Sequence, residues 1–329
     1  MRAWLQTRWY SPVPPLPLLP LAWLYGRVAA VRRRRLLSTA PYLPVPVIVV
    51  GNVTVGGTGK TPFVIWLVEH LRRWGWNPGV VSRGYGGRAP HYPHRVDAAD
   101  DPRHCGDEPL LIARRTAVPV VVDPDRVAAV RHLVETSRVD IVVSDDGLQH
   151  YRLARHLEIC IVDGARGLGN GALLPAGPLR EPPERLREVD LVVVNGDGWT
   201  DSVLRPLRMH VQITDARSIS GNVVRPLADF RGRPVHAVAG IGHPARFFAA
   251  LRARGLDLIE HAFADHQAYD RQTLAFGDDL PVLMTEKDAV KCAAFAAPHW
   301  WQVPAQAQLA PADAARVQES VSRLRSVAG

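Results

Sequence analysis

Residues 51–61, read as G-N-V-T-V-G-G-T-G-K-T, constrain this chain more than any other stretch. They follow an apolar run at 46–50 and precede another at 62–68, so a strand, a glycine loop and a helix start fall in succession. That succession aims consecutive backbone N–H groups and a helix N-terminus at one point, where an oligophosphate supplies the acceptors that the first helical turn lacks. Thr54, Val55, Gly56, Gly57, Thr58 and Gly59 make the cradle, Lys60 reaches the outer phosphates, and the Thr61 hydroxyl holds Mg2+. The strict pattern G-x-x-x-x-G-K-[ST] asks for glycine where Thr54 stands, so one turn forms without the residue that best tolerates positive φ. The ligand implied is a nucleoside triphosphate.

Further apolar runs at 80–82, 118–122, 139–144, 157–162 and 189–194 alternate with helical spacing at about 60–74, 106–115 and 125–134. Such alternation predicts an α/β fold with a P-loop-like, doubly wound, mainly parallel sheet, which binds ligands outside the carboxyl ends of its strands. The glycine loop, Arg83, Asp145 and Arg180 all follow strands and so share one rim. A composition shift at 196–210 suggests three parts. These are an N-terminal segment at 1–40, a P-loop core at 41–205, and a smaller α/β domain at 206–329 that contributes to the cleft.

Several strings on that rim carry chemistry. Asp145 and Asp146 end a buried strand, the position where a carboxylate meets Mg2+ directly or through water. Arg83 and Tyr85 lie in a glycine-rich loop that suits a phosphate or a ring, or is a plain surface loop. Asp107 and Glu108 open a helix, where they either offset its dipole or offer a carboxylate to a hydroxyl proton. His266 follows a strand of the second part and is open to a structural or a functional role.

The net charge of +8 looks like a nucleic-acid signal until it is located. Seven arginines and Lys60 precede the first acid, Glu69, so the whole excess is N-terminal and no nucleic-acid partner is implied. Cys105, Cys160 and Cys292 are too few and too scattered for a disulfide framework or a cysteine zinc site. Within 1–40, Trp4, Trp9, Trp23 and Tyr25 accompany an apolar run and then Arg32, Arg33, Arg34 and Arg35. Prolines at 12, 14, 15, 17 and 20 interrupt the run, and the uninterrupted part falls short of the roughly 20 residues a membrane span needs. The segment reads as interfacial, with tryptophan and leucine in the headgroup boundary and arginine against anionic lipid. Nothing in the sequence points to a protein partner.

Taken together, the loop at 51–62, S-R-G-Y-G-G, G-D-E-P, D-D-G-L-Q-H-Y-R-L-A-R, L-P-A-G-P-L-R-E, A-G-I-G-H-P-A-R-F-F, A-D-H-Q and M-T-E-K-D-A-V-K-C resemble the tetraacyldisaccharide 4'-kinases of lipid A biosynthesis. That family's loop similarly lacks the first glycine. The resemblance covers nearly the whole chain. It implies a peripheral or monotopic enzyme on the cytoplasmic face of the bacterial inner membrane that uses ATP and Mg2+. The γ-phosphoryl group would pass to the 4'-hydroxyl of an acylated disaccharide 1-phosphate. It further implies Asp107 as catalytic base, paired with His266. Phosphoryl-transfer chemistry then assigns Lys60 and the loop amides to the phosphates, and Thr61 with Asp145 to Mg2+, Asp146 or Glu108 being alternatives. Arg126, Gln149, His150 and Arg180 become candidates for substrate phosphate or transition-state charge, and Arg83 and Tyr85 for the acceptor site. The rival reading is a membrane-associated switch or partitioning ATPase, but Val55 stands where its variant loop carries a lysine.

Overall fold

The structure, a computed structural model, describes residues 7–327; Trp4 of the expected interfacial segment lies outside them. The strands in chain order are β1 (Val47–Gly51), β2 (Pro78–Ser82), β3 (His94–Arg95), β4 (Val120–Val122), β5 (Ile141–Ser144), β6 (Leu157–Asp163), β7 (Leu191–Asn195), β8 (Leu207–Gln212), β9 (Asp215–Ser218), β10 (Val224–Pro226), β11 (Pro234–Ala239), β12 (Asp257–Ala262), β13 (Val282–Thr285), β14 (Trp300–Val303) and β15 (Gln306–Leu309). The helices are α1 (Leu19–Leu37), α2 (Lys60–Arg73), α3 (Pro102–Cys105), α4 (Asp107–Thr116), α5 (Arg126–Thr136), α6 (Pro244–Arg252), α7 (Glu286–Cys292) and α8 (Pro311–Ser322).

One sheet has nine strands in the order β15-β8-β7-β6-β1-β5-β2-β4-β3, parallel throughout its middle, with antiparallel pairs only at the two edges. β1 is central because Val47 to Val50 are apolar on both faces and fully buried. Alternation divides them. Ile48 and Val50 pack with Phe63, Leu67 and Leu71 of α2, whereas Val47 and Val49 pack with Val127 and Val130 of α5 on the other face. That is the doubly wound arrangement expected from the sequence, and it sends the loops after β1, β2, β5, β6 and β7 to one rim.

The second sheet has six strands in the order β10-β9-β14-β13-β11-β12. Phe247, Phe248 and Leu251 of α6 cover one face, while Ala289 and Cys292 of α7 cover the other. The expected boundary at 205/206 falls before β8, which still belongs to the nine-stranded sheet; the chain enters the second sheet only after Gln212. It also comes back. β15 pairs antiparallel with β8, and Val317 and Val321 of α8 join the core on the α2 face of the large sheet.

α1 stands apart. Pro20 sits in its first turn, where a missing N–H costs nothing, so the helix begins among the prolines and runs on through the arginines. Of its residues only Ala22 is buried. It is anchored where Tyr25 Oη donates to the carbonyl of Arg180 at 3.1 Å and where Arg33 pairs with Glu188 and lies over the Tyr151 ring. No described helix is long and apolar enough to cross a membrane.

Candidate active site

The glycine loop joins β1 to α2 and is held from both sides. Gly56 and Gly59 take φ values of 101° and 94°, in the left-handed region that penalises a side chain. Thr54 does not adopt a positive φ, so its position needs no glycine. Its support comes from elsewhere in the chain. Thr54 pairs with Leu179, the Val55 N–H donates to Pro178 O at 2.8 Å, and the Arg180 N–H donates to Val53 O at 2.7 Å. The proline-rich turn thereby braces the first half of the loop and carries Arg180 to its side. Asn52 ties the two ends, with Nδ2 donating to Thr54 O at 2.8 Å and Oδ1 accepting from Lys60 Nζ at 3.2 Å. Thr61 is buried in the first turn of α2, and Thr58 Oγ1 is buried without a partner.

Beyond β5, Asp145 is buried beneath this loop, with Ser82 Oγ 3.5 Å from Oδ2. Asp146 adopts φ 47° and turns to two cations, Lys60 Nζ at 3.5 Å and an Arg180 guanidinium nitrogen at 3.6 Å. The two neighbours titrate apart. Burial, Glu108 and Asp146 push Asp145 up to about 7; burial also works on Asp146, but Lys60 and Arg180 outweigh it and hold Asp146 below its ordinary value. Arg126 is buried on α5, lowered by burial to about 10, and kept charged by Asp145 and Asp146. Gln149 donates to Asn52 O at 3.0 Å and to Glu181 at 2.6 Å, and accepts from Arg180 at 3.3 Å. Burial and then Arg126 push His150 down to about 4, so it is neutral at pH 7.

This donor set fits Mg2+. Asp145 Oδ1 is buried with no hydrogen-bond partner, and Asp146 Oδ1 has Lys60 Nζ at 3.5 Å, next to a loop built for phosphates. Among the described residues no three His, Cys, Asp or Glu form an all-protein cage. Mg2+ does not require one, because it is held by one or two carboxylates and completes its octahedron with phosphate oxygens and water.

The second half of the site lies across the cleft. Gly106 holds φ 89° before α4, and a Cβ there would stand 2.8 Å from Tyr85 O, so the 83–87 loop packs on the helix start. Asp107 is buried at that start, 159 positions from His266, yet Oδ2 lies 3.1 Å from His266 Nδ1. The Tyr85 ring sits 5.0 Å from the His266 ring, tilted by 56°, and is itself 65% exposed. Arg83 is exposed on the same loop. Burial raises Asp107, but the hydrogen bond from His266 and the charge of Lys287 prevail, and Asp107 stays below the ordinary carboxylate range. The same bond raises His266. Glu108 turns away to Lys287 Nζ at 2.7 Å. Beside the pair opens a cleft of about 1000 Å³ lined by Tyr85, Asp107, His266, Tyr269 and Lys291.

Comparison with known proteins decides the family. A family model described as tetraacyldisaccharide-1-P 4'-kinase matches residues 15–323. The chain belongs to that family. A tetraacyldisaccharide 4'-kinase of Stutzerimonas stutzeri (strain A1501) is 51% identical over 331 aligned positions, an alignment that covers 97% of each chain. One from Alcanivorax borkumensis is 53% identical over 312 aligned positions, an alignment that covers 93% of each. The crystal structure of the "apo" form LpxK from Aquifex aeolicus in complex with ATP matches with a TM-score of 0.77 at 27% identity, covering 94% of this chain and 98% of that one.

For this member of the 4'-kinase family, the structure gathers the loop, Asp145, Asp146, Arg126, Gln149 and Arg180 on one side and Asp107, Glu108, Tyr85 and His266 on the other. Sequence reading passed over Asn52, Ser82 and the group Asp163, Arg166, Asn195 and Arg246. Asp163 and Asn195 end β6 and β7. A polar residue closing an apolar strand on the ligand rim was the signal that would have found them.

Proposed function

We infer that this protein is an ATP-dependent kinase that moves the γ-phosphoryl group to the 4'-hydroxyl of tetraacyldisaccharide 1-phosphate, in lipid A (lipopolysaccharide) biosynthesis. The observation that carries this reading is the pairing of Asp107 with His266 beside the triphosphate loop, in a chain of that family. A Cβ on Gly242 would stand 3.4 Å from the Gly57 nitrogen and 3.6 Å from Asp265 Oδ2, so the residue next to His266 lies close to the glycine loop.

Bound Mg-ATP supplies the transferable group and a divalent charge that offsets the phosphates. Lys60 and the amides of residues 54–61 would hold the outer phosphates; Thr61 and Asp145 would hold the metal, with Asp146 or Glu108 as alternative ligands, Glu108 on leaving Lys287. Asp107, ionised at neutral pH, accepts the proton of the attacking hydroxyl, while His266 orients it and relays the proton to water. Arg126 and Arg180 bring charge to the transferring group, Gln149 sets Arg180, and neutral His150 offers only a hydrogen bond. Arg83 and Tyr85 line the acceptor site.

The acceptor is a lipid, and α1 suits attachment to an anionic membrane surface. Leu16, Leu21, Trp23, Leu24, Val28 and Val31 are each more than half exposed. Arg32, Arg34 and Arg35 are exposed alongside them, while Arg33 is held by Glu188. A peripheral or monotopic site on the cytoplasmic face of the inner membrane, where ATP is available, follows from this reading. The test is incubation with Mg-ATP and tetraacyldisaccharide 1-phosphate, read by mass spectrometry of the lipid. One added phosphate is expected. ATP hydrolysis with an unmodified lipid would instead favour the membrane-associated switch or partitioning ATPase.

A further inference from the structure

The string Gly240-Ile241-Gly242-His243-Pro244-Ala245-Arg246 has no role in the chemistry above, yet it leads from β11 of the second sheet to the back of the glycine loop. At Gly242 a Cβ would stand 3.4 Å from the Gly57 nitrogen. From the first turn of α6, Arg246 reaches two strand ends of the large sheet. Its Nη1 donates to Asp163 Oδ2 at 3.2 Å, and its Nη2 donates to Asn195 Oδ1 at 3.3 Å and Asn195 O at 3.4 Å. Both partners serve the loop. With its oxygen engaged by Arg246, Asn195 presents Nδ2 to Thr58 O at 3.0 Å. Asp163 Oδ2 also accepts from Arg166 Nη2 at 3.1 Å, and the same nitrogen of Arg166 donates to Gly57 O.

A trans peptide points its carbonyl and its N–H in opposite directions. Pinning Gly57 O therefore directs the Thr58 N–H away from Arg166, and pinning Thr58 O directs the Gly59 N–H away from Asn195. Those are the donors expected to meet the phosphates. The fit at Asn195 is tight: a Cβ on Gly59 would stand 2.3 Å from Asn195 Nδ2. An amide side chain can present either end; here the Thr58 carbonyl takes the Nδ2 end and Arg246 takes the Oδ1 end, so Arg246 holds Asn195 from the side opposite the loop.

We propose that Arg246 is a positioning residue for ATP, reaching from the six-stranded sheet to set Asn195 and Asp163 and, through them, the amides of the glycine loop. This rests on the nucleotide reading of that loop. Wild type, Arg246→Ala, Arg246→Lys and Asn195→Asp are titrated with a non-hydrolysable ATP analogue and Mg2+, with kinetics and thermal unfolding recorded on each. Arg246→Ala is expected to bind the analogue about tenfold more weakly, the worth of one hydrogen bond to a charged group, with KM for ATP rising in step. Its kcat, its KM for the lipid and its Tm stay near wild type. Lysine does not restore binding, because it lacks the planar fork that spans both partners. Asn195→Asp, which has no N–H to give Thr58 O, shows the same loss, and the double variant loses no more than either alone. Unchanged analogue affinity in both single variants overturns the proposal, as does a fall in Tm with KM for ATP unmoved. A wild type that fails to bind the analogue removes the nucleotide reading itself.

Discussion

Asp107 and His266 shift each other in opposite directions, and the signs make the pair testable. Burial alone would raise Asp107; the His266 hydrogen bond and the Lys287 charge overcome it. The acid limb of kcat/KM for the wild type therefore lies below the ordinary carboxylate range. In His266→Ala the leading opposing contribution is gone while burial remains, so that limb moves to higher pH, as a pH–rate profile will show. Asp107→Asn keeps the shape but cannot take a proton; kcat falls by roughly 10² to 10⁴ with little change in ATP affinity. A loss below about tenfold would remove Asp107 as the base. Lys60→Ala loses the ammonium that links Asn52 and Asp146 at 3.2 and 3.5 Å, and assays of lipid phosphorylation are expected to find no transfer. The glycine missing at Thr54 has a residue-scale explanation too, since backbone pairing with Leu179 holds that turn at negative φ.

Among the elements, β6 and the 3₁₀ turn at Pro183–Arg187 are joined by a nearly closed ionic network. Arg185, 2% exposed, donates to Glu158 and to Glu181 at 3.1 Å, while Arg155 reaches Glu158 at 2.7 Å. Glu181 also accepts from Gln149, so this network underlies the turn that carries Arg180 to the glycine loop. Burial raises Glu158, but Arg185 and Arg155 prevail and hold it below its ordinary value. A depressed carboxylate contributes stability above its unfolded pKa and loses it as pH falls through the folded one. Glu158→Gln is expected to cost about 3 kcal/mol at neutral pH, the lower end for a broken buried pair because Arg185 keeps Glu181. In denaturant titrations the gap to wild type should narrow as pH drops below the ordinary glutamate range. A gap independent of pH would mean that the loss is one of packing alone. The parallel strands β1, β2 and β4 to β7 of the large sheet were legible because their apolar runs are buried on both faces. β9, β10 and β15 were not, being short, polar and half solvated.

For the molecule as a whole, the charge excess and the exposed apolar side chains coincide on α1, which buries only Ala22 of itself. Replacing Arg32, Arg34 and Arg35 with glutamine removes about 3 kcal/mol of attraction to anionic lipid, at roughly 1 kcal/mol each. Sedimentation with anionic vesicles should fall accordingly, while binding of the ATP analogue is unaffected; unchanged sedimentation would remove the electrostatic part of the attachment. The sequence by itself determined whatever depends on neighbours along the chain. The strand–loop–helix order at 51–61 and the run of buried parallel strands follow from spacing and hydrophobic pattern, which act over a few residues. The identity of the catalytic candidates was legible only because G-D-E-P and A-D-H-Q recur as strings in a known family; nothing local distinguishes Asp107 from a dipole cap or His266 from a structural histidine. Only the tertiary structure decided which distant groups meet. It brought His266 to Asp107 and Arg246 to Asn195, and it returned β15 to β8. The reason is physical: a local pattern sets how a segment folds, but a hydrogen bond between residues far apart in the chain exists only once both layers are packed.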